Sequence, residues 1–389
     1  MNSGIERAIA PLRSDAVVRI ARGVFSLSSL NVLGQALNFF ITIPLAFLYG
    51  PSSFARFALF AVLALLISRI ATFRLEEIIK FEERPGKAAS TVFYLALAIS
   101  VPVSVFNPLL GICVAAMSVC NICIMLLTAR KRYNLIGYGN IARFVAIALL
   151  QLALVGFPEG LIAGFAAGYC LTAVAFALLA RFRLEAPDTS VIGRNWRFSA
   201  VRLPAVVVHF LSTLVPLSII NARSPAAEAG SYALADRLIG GAATIVTLSI
   251  EYVLFGELDR HNAHRAIGPV LIGMCLLTLA LPAVALLSHG LWADLLPVAW
   301  QGGDAILIVL STTFASWVAY SVLTRLAIIV NATPIALAAS ATIFAVRTVP
   351  LLAGLALVHA LTAVAVGQIL VTIGFGLALE YRRLHRNDA

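Results

Sequence analysis

Charge is what this sequence has least of. Asp, Glu, Lys and Arg make up 12% of its 389 residues, about half the share usual in a soluble domain. That scarcity excludes a cytosolic enzyme of ordinary build, and it excludes a disordered chain as well. Cysteine is also sparse, with Cys113, Cys120, Cys123, Cys170 and Cys275 all inside apolar stretches. A secreted disulfide scaffold is therefore excluded, and the C-x-x-C at Cys120 and Cys123 has no second pair or histidine at zinc spacing. No Walker-type phosphate loop, Ser-His-Asp set or H-E-x-x-H occurs, so nothing points to a catalytic site, a cofactor or a metal. His261 and His264 beside Asp259 read as a solvated loop face.

What remains is apolar. Hydrophobic residues make up 61% of the chain, and the mean hydropathy is +0.97. Runs of about twenty apolar residues, the length that crosses a bilayer, predict twelve helices. Their spans are 24–48, 54–76, 88–106, 108–129, 139–157, 160–180, 199–221, 229–255, 267–288, 304–330, 335–357 and 359–380. Before them, Ile5, Ile9, Leu12, Ala16, Val17 and Ile20 recur at helical spacing, so residues 1–23 read as an amphipathic cytoplasmic segment. The loops alternate in charge. With the N-terminus inside, 22 lysines and arginines fall on the cytoplasmic side and only Arg56 and Arg223 outside, so both termini are expected inside. Basic residues grouped in short clusters between apolar runs argue against nucleic-acid binding.

The longest polar interruption, 181–198, divides the helices into an N-lobe (24–180) and a C-lobe (199–380), with a cytoplasmic tail at 381–389. Shifting the chain by 175 residues lays Phe57-Ala58-Leu59 on Tyr232-Ala233-Leu234. The expected fold is thus an all-α polytopic membrane protein, two pseudo-symmetric six-helix lobes around a central cavity.

Three segments carry a family resemblance. LYGPSSFARFALFAVLALLISRIATFRLEE (48–77) resembles the first external loop and second helix of the polysaccharide flippases, which export O-antigen and exopolysaccharide units within the multidrug/oligosaccharidyl-lipid/polysaccharide exporter superfamily. The stretch 195–242, with A-G-x-Y-A-L-A-x-R-L opening the eighth helix, resembles the start of their second lobe, and 128–144 resembles their basic loop before helix five. The resemblance implies flipping of a lipid-linked oligosaccharide on an isoprenoid pyrophosphate carrier, from the cytoplasmic to the periplasmic leaflet of a bacterial inner membrane. Membrane lipids and other polysaccharide-assembly proteins are the partners it implies.

Ionisable and polar residues inside the spans are the site candidates, because a charge at mid-bilayer costs about 2.5–3.5 kcal/mol even on insertion scales. Arg347 falls near the middle of its span, and Asp236 and Arg237 lie two turns inside the eighth helix. Arg143 and Arg325 are expected near cytoplasmic helix ends, within snorkelling reach. Gln35 and Asn38 share a face with Asn31 in the first helix and read either as sugar contacts or as interhelical hydrogen bonds. His209, Glu251 and Asp236 are candidates for proton or ion coupling, with packing as the plainer reading of His209. Arg237 is read either as a phosphate donor or as a structural partner of Glu251 or Asp236. Arginine offers a fork matched to phosphate oxygens, so the set fits an anionic cargo. A cation-coupled multidrug exporter would favour carboxylates in the same place. A membrane-embedded polymerase or glycosyl-transfer enzyme would show a large external loop or an acid cluster. Reporter fusions at Pro158 and within 288–301 are expected to read outside, and a cytoplasmic signal from either overturns the twelve-span topology.

Overall fold

The computed structural model describes residues 40–240, 303–330 and 332–386, with the single positions 30, 33, 34, 247, 268, 270, 272, 273, 276, 280 and 300. The expected segment 1–23, nearly all of 267–288, Gln35, Asn38, Glu251, Cys275 and the loop histidines lie outside the described residues. Residues 40–48 are helical. Ten further α-helices follow: α1 Pro51–Ala71, α2 Pro85–Phe106, α3 Pro108–Ala129, α4 Tyr133–Ala153, α5 Gly160–Leu179, α6 Thr189–Arg223, α7 Ala226–Ala235, α8 Gly303–Ile329, α9 Thr333–Leu352 and α10 Leu357–Arg386. A 3-10 helix, Leu75–Phe81, joins α1 to α2, and a π-helical turn, Asp236–Gly240, continues α7. Nine of the described helices are long and apolar enough to cross a membrane. The chain is a multi-pass membrane protein.

Local chemistry sets the helix starts. Proline opens α1, α2, α3 and α9 within the first turn, where its missing N–H costs nothing. Asn107 alone connects α2 to α3, and its side chain caps α3 by accepting from the Leu110 N–H at 3.0 Å.

Several boundaries differ from the sequence reading: α1 ends at Ala71 instead of 76, α9 at Leu352 instead of 357, and α10 runs to Arg386 through most of the expected tail, and two further differences bear on the site. Helix α6 begins at Thr189 instead of 199, so about half of the expected 181–198 linker is helix, capped by Asp188 accepting from the Ser190 N–H. Its polar start is exposed on one side and docked on the other. Val191, Asn195, Ser199 and Arg202 lie on one face, and that face grips the α1–α2 connection: Asn195 donates to Glu82 at 2.8 Å and Ser199 to the Phe73 carbonyl at 2.9 Å. Helix α4 begins at Tyr133 instead of 139, which moves Arg143 well away from the helix end.

Small residues bring the helices close. On α5, Gly160, Gly164 and Gly168 face the α4 backbone; a Cβ on Gly164 would lie 2.7 Å from Gln151 Cα, and one on Gly168 would lie 2.6 Å from Ile147 Cα. This is small-residue packing, which substitutes for hydrophobic drive inside lipid. Gly230 of α7 meets the Pro51 backbone of α1 in the same way, and there it joins the two lobes. Replacing Gly168 by Val should therefore overpack the α4–α5 contact and cost about 1–3 kcal/mol. The thermal midpoint in detergent reads the effect; an unchanged midpoint contradicts the close approach.

Candidate functional site

A cavity of about 490 Å³ lies between the lobes, lined by α1, α3, α4 and α5 on one side and by α6, α7, α8, α9 and α10 on the other. Asp236, Arg237, Arg347, Arg143, Arg325 and His209 all border it. They fall into three groups with different chemistry.

The first group ties α6 and α8 to the α1–α2 connection at the cavity's edge. Glu76 and Glu77 of the 3-10 helix are fully buried at 0% exposure. Glu77 pairs with Arg74 beside it, with Arg325 of α8, and with Arg202 of α6, whose Nε lies 3.1 Å from Oε2. Glu76 takes Arg69 and Arg74, each at 3.2 Å. Left-handed backbone at Phe73 (φ 50°) and Arg74 (φ 59°) turns the chain back so that Arg74 reaches both carboxylates. Desolvation pushes the Glu76 carboxyl up, but Arg74 and Arg69 outweigh it and hold the group below the usual carboxylate range. Desolvation is also the main cause that pulls Arg74 down, joined by Arg69, Arg325 and Arg202 against the attraction of Glu76.

This group corrects the sequence reading twice. Arg325 does not snorkel: it is 8% exposed and spans the lobe boundary to Glu77. Arg74 and Arg202, expected as cytoplasmic loop charges, are each 3% exposed. A mid-chain Arg-Leu-Glu-Glu looks like a helix-end charge cluster in one dimension; only the fold brings Arg202 and Arg325 to it.

The second group lies deeper. Arg237, in the π-helical turn, donates from Nη2 to Gln151 Oε1 of α4 at 2.6 Å and lies over Phe57 and Phe54, at 5.0 and 5.7 Å from the ring centroids. Its Nη1 is buried without a partner. Asp236 is not its partner, and Gln151 occupies that role. Arg143 sits mid-way along α4, over the Phe144 ring at 5.1 Å and the Tyr169 ring at 5.9 Å. It cannot snorkel from there, because the helix starts a turn and a half earlier than the apolar run suggests.

The third group belongs to the C-lobe. Arg347 donates from Nε to Gln368 Oε1 at 2.9 Å and from Nη1 to Thr213 Oγ1 at 3.1 Å, and it lies over Trp317 at 4.3 Å. It also reaches the Ser212 carbonyl at 3.4 Å. That carbonyl is free because Pro216, four residues on, has no N–H to give it. His209 stacks on Trp317 at 4.5 Å and on Tyr320 at 5.5 Å, and the Tyr320 and Ser340 hydroxyls share a hydrogen bond of 2.5 Å. The sequence reading missed Gln151, Gln368, Trp317 and Glu77. The signal for the glutamines was present: each is a lone amide in an apolar run.

No protein-family model matches the sequence, and no curated protein sequence matches it. Solved structures do match. The lipid II flippase MurJ in an inward closed conformation superposes with TM-score 0.68 at 13% identity, over 91% of this chain and 87% of that one. The MATE transporter VcmN of Vibrio cholerae, in its bent form, gives 0.64 at 13% identity over 95% and 98% of the two chains. A transporter of the MOP superfamily from Pyrococcus furiosus, described by the reverse polarity of its binding pocket, gives 0.62 at 13% identity over 96% and 97%. The chain shares the fold of these solved transporters.

The ion cluster generates a direct test. Glu77→Ala leaves Arg74, Arg202 and Arg325 without their shared acceptor, and stability should fall by about 3–5 kcal/mol. A double-mutant cycle of Glu77→Ala with Arg325→Ala, read by thermal unfolding in detergent, should show strong coupling. Additive effects contradict a shared bond between the lobes.

Proposed function

We propose that this protein flips a saccharide linked to an isoprenoid pyrophosphate carrier across a bacterial inner membrane, by alternating access of its two lobes, for surface polysaccharide assembly. The observation that carries this reading is the sign of the cavity. Among the described residues, seven arginines line it and Asp236 is the sole carboxylate. Four of the arginines are held by Glu76 and Glu77. Arg143, Arg237 and Arg347 remain deeper in, with no salt-bridge partner among the described residues.

Unneutralised guanidiniums in a membrane protein need a wet cavity or an anion to receive them. A pyrophosphate supplies the charge and the oxygen geometry that the arginine fork matches. The sugars would occupy the cavity, and the isoprenoid tail would stay in lipid. MurJ is named a flippase of lipid II, and a cargo of that chemical class suits the polarity seen here. On the orientation expected from the basic loops, the Glu77 cluster would tie the lobes together on the cytoplasmic side. A cation-coupled drug exporter on the same fold is the alternative, and the presence of Asp236 as the one cavity carboxylate among the described residues weighs against it.

The test joins insertion to transport. Arg237→Ala and Arg347→Ala should insert normally and lose saccharide flipping in sealed vesicles, by about ten-fold or more if one charge-assisted phosphate bond is lost. Lysine at either position should restore part of it, since it keeps the charge and loses the fork. Normal flipping by well-inserted Ala variants overturns the reading.

A further inference from the structure

Two glutamines handle the deep arginines in one and the same way. Gln151 of α4 and Gln368 of α10 are both at 0% exposure. Gln151 donates from Nε2 to the Leu161 carbonyl at 2.8 Å and accepts from Arg237 Nη2 at 2.6 Å. Gln368 donates from Nε2 to the Thr313 carbonyl at 3.2 Å and accepts from Arg347 Nε at 2.9 Å. A guanidinium only donates and a carbonyl only accepts, so the chemistry of the neighbours dictates which end of each amide faces the arginine.

Each glutamine is itself held still. The Tyr49 hydroxyl donates to the Gln151 carbonyl at 2.9 Å, and Gly164 lies against the Gln151 backbone. Thr372 donates to the Gln368 carbonyl at 2.8 Å. These two bonds go to main-chain carbonyls and hold the backbone at each glutamine, while the Nε2 bonds to Leu161 and Thr313 hold the side-chain amides, and the amides hold the guanidiniums.

The choice of amide over acid is the informative part. Where this protein ties lobes together it uses a carboxylate on buried arginines, as at Glu77. At Arg237 and Arg347 it uses a carboxamide of nearly the same shape. A carboxylate would orient the fork and cancel its charge, whereas a carboxamide orients it and leaves the charge whole. Asp236 borders the same cavity but forms no salt bridge to either arginine among the described residues. Arg237 Nη1 is left buried and unpartnered beside that cavity.

We propose that Gln151 and Gln368 are charge-preserving positioning residues, which aim Arg237 and Arg347 at a phosphate of the cargo without neutralising them. This rests on the anionic-cargo reading above. It separates cleanly from a purely structural role, because the two make opposite statements about Gln→Glu. Either way Glu gives up the bond to the neighbouring carbonyl, but a purely structural amide replaced by Glu leaves anion binding by the folded protein unchanged, whereas a charge-preserving amide replaced by Glu loses the anion.

The experiment titrates farnesyl diphosphate against the purified full-length protein in detergent, with uncharged farnesol as the control for tail binding. The wild type should bind the diphosphate more tightly than farnesol. Gln151→Glu and Gln368→Glu lose the bond donated to the Leu161 or Thr313 carbonyl, so the thermal midpoint should fall modestly, and the folded protein should bind the diphosphate about ten-fold or more weakly with farnesol binding unchanged. Gln→Met at either position removes the acceptor without adding charge and should fall between the two. Glu variants that bind like the wild type overturn the proposal. Should the Glu variants fail to fold, wild-type affinity in the folded Met variants overturns it. Arg237→Ala and Arg347→Ala distinguish the two levels: if they bind the diphosphate normally, the anionic-cargo reading itself falls. If they lose it while the Glu variants keep it, only the role of the glutamines falls.

Discussion

Glu77 holds a negative charge where no solvent reaches it, and three guanidiniums from different parts of the chain converge on it. Burying a carboxylate alone costs several kcal/mol, so the group exists there only while its partners do. Arg202 and Arg325 come from the C-lobe, and the 3-10 helix that carries Glu77 belongs to the N-lobe. The lobes are thereby tied beside the cavity by a cluster whose disruption leaves buried charge unpaired. The polar start of α6 follows from the same constraint: its Asn195 and Ser199 dock on the same connection and bring Arg202 to the carboxylate.

The arginines of the cavity are thus of two kinds. Those around Glu76 and Glu77 are neutralised by carboxylates, and those deeper in are held by amides, aromatic faces and a carbonyl that a proline released. The first arrangement cancels charge and builds structure. The second keeps charge and leaves it facing the cavity. A flat comparison of residue types along the chain treats all seven alike, since each is an arginine in or near an apolar run.

Membrane insertion, the hairpin turns and most helix spans were legible in the sequence, because lipid imposes a length and an apolar composition on every crossing. Asn107 between two prolines-and-apolar runs, or Gly160 after Pro158, marks a turn without any tertiary information. The start of α6 was not legible. Its face of Val191, Asn195, Ser199 and Arg202 reads as linker until a polar docking surface is known to lie opposite. Arg143 was misplaced for a related reason: Tyr133 and Asn134 look like loop, and a helix packed on α5 extends through them.

What the sequence determined by itself is that this chain lives in a membrane, that its helices run in short-looped hairpins, and that a few arginines sit too deep for water unless something receives them. Hydropathy, spacing and charge alternation are local quantities, and those conclusions need nothing else. Only the tertiary structure decided which arginines are spent on Glu76 and Glu77 and which stay open, that Gln151 and not Asp236 holds Arg237, and that Trp317, His209 and Tyr320 stack beside Arg347. Those outcomes depend on contacts between residues as far apart as Glu77 and Arg325. A charge in lipid is fixed by its nearest partner in space, and that partner is set by how whole helices pack.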